Sequence, residues 1–91
     1  MILLVAYDLH NPKRDYDEVI KTIKTAPSWA HVQGSVWLID TAQSPEAWVK
    51  KLENAGDADD KLFVIQQRKY AEWRNLSPSV AQWINSSSRN W

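Results

Sequence analysis

The chain opens on an unbroken apolar run, Ile2, Leu3, Leu4, Val5, Ala6 and Tyr7, and this run limits the fold more than any other feature. It is rich in strand formers and has no polar position to face water, so it predicts a central strand covered on both faces. It is far too short to span a bilayer or serve as a secretory leader, and Asp8 ends it. A chain of 91 residues has room for one core and not for two. The remaining segments therefore have to supply the cover.

Their pattern says how. Tyr16, Val19, Ile20 and Ile23 recur at i, i+3, i+4 and i+7, one stripe of an amphipathic helix over residues 15–25. Asp15 with Glu18 three residues later resembles a capping box, and Pro27 marks the stop. Residues 29–32 and 35–40 read as two short strands about Gln33 and Gly34, a hairpin or bulge that glycine's tolerance of positive φ permits. Ser44 and Pro45 then open a second helix whose inner stripe is Trp48, Leu52 and Ala55, and Gly56 closes it. Asp57, Asp59 and Asp60 read as a solvated loop, and Leu62 to Ile65 as a fourth strand.

The four prolines and two glycines all fall at element boundaries. Strand, helix, strand, strand, helix, strand, joined by right-handed crossovers, predicts an α+β protein with a ferredoxin-like βαββαβ sandwich over residues 1–68. Residues 69–91 form an extension packed on that core. Ser77 and Pro78 open a short helix in it, bearing Val80, Ala81, Trp83 and Ile84, and the polar stretch from Ser86 to Asn90 reads as a frayed end.

Composition narrows the function. Eleven basic residues balance eleven acidic ones, which removes the general electrostatic attraction of a dedicated nucleic-acid binder and confines any polyanion contact to a local patch. The absence of cysteine excludes disulfides, thiolate zinc sites and a cysteine nucleophile. Two histidines cannot build a multi-histidine metal cage. A cytoplasmic protein with no membrane association is the simplest expectation. Six tryptophans are unusual in so short a chain, each bringing a large apolar ring with an N–H that needs an acceptor.

The leading candidate for chemistry is Asp8, a carboxylate at the mouth of a buried strand. Its oxygens suit a hard cation such as magnesium, which one protein carboxylate can hold when water and phosphate complete the octahedron. An aspartate at that place serves equally as an acceptor in an Asx-turn. His10 and His31 lack a carboxylate at diagnostic spacing.

Val5, Ala6, Tyr7 and Asp8, followed by His31, Val32, Gln33, Gly34, Ser35, Val36 and Trp37, resemble two motifs of the CRISPR-associated ferredoxin-fold proteins of the Cas-two family. In that family a strand ending in Tyr-Asp precedes a segment of the form Arg-Val-Gln-x-Ser-Val-Phe. With Tyr70, Ala71, Glu72 and Trp73, and Ala81, Gln82, Trp83 and Ile84, the chain is also similar to small bacterial proteins labelled SinR-like. The resemblance covers most of the chain.

What the resemblance implies is a homodimer with its sheets face to face, and a metal-dependent phosphodiesterase acting on single-stranded RNA or DNA. Asp8 of each protomer would hold Mg2+ or Mn2+, Tyr7 would flank it, and Ser35 would occupy the serine place of the motif. Trp37 would take the phenylalanine place. Where the family has arginine this chain has His31, so the nearest replacements for its phosphate contact are His10, Lys13 and Arg14, and the nucleic-acid-binding set would be those three with His31 and Trp37. Some family members are instead non-catalytic dimeric bridges. That alternative makes this chain an interaction module, with Trp73, Trp83 and Trp91 either completing the core or anchoring a protein partner.

Overall fold

The computed structural model describes residues 1–9 and 16–91. Its elements are β1 (Ile2–Asp8), α1 (Asp17–Ile23), β2 (Ser28–Gln33), β3 (Val36–Asp40), α2 (Pro45–Ala55), β4 (Lys61–Gln67) and α3 (Pro78–Asn85). The strands form one antiparallel sheet in the order β2-β3-β1-β4. β1 is thus hydrogen-bonded on both sides, as its apolar run requires. This α+β arrangement is consistent with the ferredoxin-like expectation, and no helix among the described residues is long and apolar enough to cross a membrane.

Alternation along the strands divides the core in two. Leu3 and Val5 of β1, with Trp37 and Ile39 of β3, point to the face covered by Val19 and Ile23 of α1 and Trp48 and Leu52 of α2. Ile2 of β1, Ala30 of β2 and Leu38 of β3 point the other way, where Val80 and Ile84 of α3 meet them. The extension is therefore a third layer on the sheet's second face.

The helix signals hold at two of three starts. The Ser44 hydroxyl accepts from the Ala47 amide at 3.1 Å, and the Ser77 hydroxyl from the Val80 amide at 3.3 Å, each followed by proline at the first helical position. At α1 the N-cap is Tyr16, which makes no side-chain cap bond. Asp15, half of the expected capping box, lies outside the described residues, as do His10, Lys13 and Arg14. Gly34 sits in the β2–β3 turn at φ 34°, a conformation that disfavours any side chain. The loop after α2 is less solvated than its charge suggests. Asp57 and Asp60 each accept from the Tyr16 hydroxyl at 3.2 Å, which ties the loop to the start of α1.

The end of the chain, expected to fray, makes specific contacts with the core. The Trp83 indole N–H donates to the Ser28 hydroxyl at 2.8 Å, Arg89 stacks on the Trp83 ring at 4.5 Å and also bonds Ser28, and Asn90 bonds Asp40. The reason lies in β3. Asp40 is only 7% exposed, and a buried carboxylate needs donors; Asn90 supplies them, with the Met1 ammonium 3.8 Å away. Polar residues at the end of a chain can be ordered when an acceptor waits for them inside the fold.

Candidate functional site

Tyr7 and Asp8 are neighbours in one strand, so their side chains take opposite faces of the sheet. Tyr7 packs against the core under α1 and α2. Its hydroxyl accepts from the Trp37 indole N–H at 3.2 Å, and its backbone amide donates to the Ser35 carbonyl at 3.2 Å. His31 lies flat on Trp37, with ring centroids 4.0 Å apart and planes 3° from parallel, and its Nε2 is 2.7 Å from the Gly34 carbonyl oxygen. Trp29 leans on the same indole at 5.5 Å. Tyr7, His31 and Trp37 thus form one connected group on the helix-covered side, and Ser35, exposed in the β2–β3 turn, joins it through its backbone carbonyl alone.

This group is built for packing. Trp37, expected at the phenylalanine place of the motif and as a nucleic-acid contact, is 1% exposed. The reason is register: Trp37 is paired with Val5 and His31, which turns its side chain inward. His31 remains exposed, yet one of its ring faces is taken by Trp37 and one nitrogen by Gly34.

Asp8 stands on the other face at the open end of β1. It is exposed, opposite Lys61 of β4, and shares with Ala6 and Phe63 a shallow hollow of about 220 Å³. Among the described residues no three histidine, cysteine, aspartate or glutamate side chains come together to hold a metal ion. Asp8 brings one carboxylate. A divalent ion there would need water, phosphate or a second protomer for its remaining oxygens.

The feature that sequence reasoning missed adjoins Asp8. α3 covers the second sheet face over β2, β3 and the start of β1, and the half nearer β4 stays open. Phe63 is 58% exposed and Ile65 41% exposed, alternating along β4 beside Ala6 and Leu4, their register partners. An apolar run such as Leu62 to Ile65 signals burial on both faces. The only sign to the contrary is length, since a helix of 8 residues is about 12 Å long at 1.5 Å per residue and cannot cover a four-stranded sheet. Of the tryptophans in the extension, Trp83 and Trp91 pack on the sheet while Trp73 stays 38% exposed.

Comparison with models of protein families, with curated proteins and with solved structures gave no match.

Proposed function

We propose that the chain is a homodimeric interaction module of ferredoxin-like type, whose protomers join through the open half of the second sheet face. The observation that carries this reading is the exposure of Phe63 and Ile65 on the half of the second sheet face that α3 leaves open. Full burial of side chains of this size stabilises by about 1.5–3 kcal/mol each, and an isologous interface buries both sets at once. A net charge of zero leaves no general repulsion between copies. The opposed charges of Asp8 and Lys61 at the rim give a two-fold mate a register to match. The test is Phe63→Glu, which places a charge at the centre of the interface and should yield monomers that keep the circular dichroism spectrum of the parent.

A second reading is metal-dependent phosphodiester cleavage, and the position of Asp8 favours it. Asp8 lies at the rim of the proposed dimer face, and a mate whose two-fold axis passes near that rim would bring a second carboxylate to it. The pair would hold Mg2+ or Mn2+, whose chemistry is to stabilise charge on the phosphate oxygens of a single-stranded RNA or DNA. Tyr7 packs on the opposite face, so Asp8 is the residue on which this reading depends. Cleavage by the purified dimer, lost in Asp8→Asn, tests it.

A further inference from the structure

Residues 68–75, which lead from β4 towards α3, are exposed throughout, and Tyr70 leaves 93% of its surface to solvent. A tyrosine brings about 150–250 Å² of largely apolar surface to whatever covers it, and its own fold covers almost none of this one. The segment stands along the boundary between the covered and open halves of the second sheet face. A half-open cavity of about 290 Å³ there has Leu4 of β1 on its sheet side and Tyr70, Ala71 and Trp73 on its outer side.

The open half alone is too small to hold two protomers together. β1 and β4 have 7 residues each, and at about 3.4 Å per residue and about 4.8 Å between strands they span only about 240 Å². A stable interface takes about 800 Å² from each partner. The remainder has to come from what borders the open half, which is this segment. The third layer decides how it meets a second copy. α3 lies over β2, β3 and the start of β1 and, being about 10 Å thick, stands on the sheet as a step. A two-fold axis running across the strands would drive each step into the other sheet. An axis running along the strands instead sets each β4 beside the other protomer's step, where residues 68–75 lie, and keeps every residue at its own level along the strands.

Building on the open face as a dimer interface, we propose that residues 68–75 form an arm that clasps a second copy of this chain, with Tyr70 laid on the partner's Ile65. Leu4 shares the cavity with Tyr70, and Ile65 is the register partner of Leu4, so the partner's Ile65 arrives at the level of the Tyr70 ring. Ile65 is itself 41% exposed, and the clasp covers both side chains at each of two equivalent places.

Sedimentation equilibrium measures the dimer dissociation constant, and isotope-filtered NOE spectra of a dimer mixed from labelled and unlabelled chains read the contact itself. Tyr70→Ala should raise the dissociation constant at least about tenfold while keeping the circular dichroism spectrum, because the side chain is exposed. The mixed dimer should show cross-peaks between the Tyr70 ring of one protomer and the Ile65 methyl groups of the other. A parent dimer whose dissociation constant is unchanged by Tyr70→Ala, or which lacks those cross-peaks, overturns the arm and leaves the open-face dimer standing. A parent chain that stays at the protomer mass overturns both.

Discussion

Asn90 holds Asp40 across 50 residues of sequence: its backbone amide donates to Oδ2 at 3.1 Å, and its side-chain Nδ2 reaches Oδ1 at 3.2 Å and Oδ2 at 3.1 Å. This contact fastens the end of the extension to β3. It makes the third layer part of the fold, in company with the Trp83 to Ser28 bond.

Asn90→Ala should therefore destabilise the protein, because it strips the side-chain donor from a buried carboxylate while the backbone donor stays. The expected loss is about 1–3 kcal/mol, which lowers the melting temperature by about 4–8 °C per kcal/mol in a domain of this size. A thermal melt followed by circular dichroism measures it. An unchanged melting temperature would show that the end of the chain is not held.

Deletion of everything after Gln67 should abolish cooperative unfolding. It uncovers Ile2 and Leu38, at 0% and 8% exposure, together with Ala30, and a domain of this length has little stability to spare. A truncated chain that melts cooperatively at the parent temperature would mean that the extension only decorates a complete core.

Trp37 and Tyr7 should be coupled. A double-mutant cycle of Trp37→Phe and Tyr7→Phe, read by denaturant unfolding, should give a coupling of about 0.5–1.5 kcal/mol for the one hydrogen bond the two share. Additive effects would break the link between them and leave the Tyr7 hydroxyl free for other work.

Much of the fold was legible because its signals are local. The two-sided apolar run of β1, the caps at Ser44 and Ser77 and the turn at Gly34 each depend on a few adjacent residues. The candidate site was harder to read for the same reason. Strand alternation alone separates Tyr7 from Asp8, so two neighbours in a motif cannot share a face. The burial of Trp37 depends on its register with Val5, and the order of the chain's end depends on a carboxylate 50 residues away. Neither relation leaves a mark in a short window of sequence. The exposure of Phe63 and Ile65 is set by where α3 lands and how far it reaches, which is a property of the packed layers.

Asp8→Asn separates the two functional readings. The side chain is exposed, so the substitution should change stability by no more than about 0.5 kcal/mol. If the second reading holds, Mg2+- or Mn2+-dependent cleavage of single-stranded RNA or DNA by the parent dimer disappears in this variant. Cleavage that persists at the parent rate belongs to another nuclease in the preparation.

Sedimentation equilibrium tests most directly whether the open half of the sheet joins two protomers. The parent chain should have twice the 10.5 kDa of one protomer at tens of micromolar, and Phe63→Glu should sediment at the protomer mass with its circular dichroism spectrum unchanged. A parent protein that stays at the protomer mass over that range, or a Phe63→Glu variant that remains a dimer, contradicts the central claim.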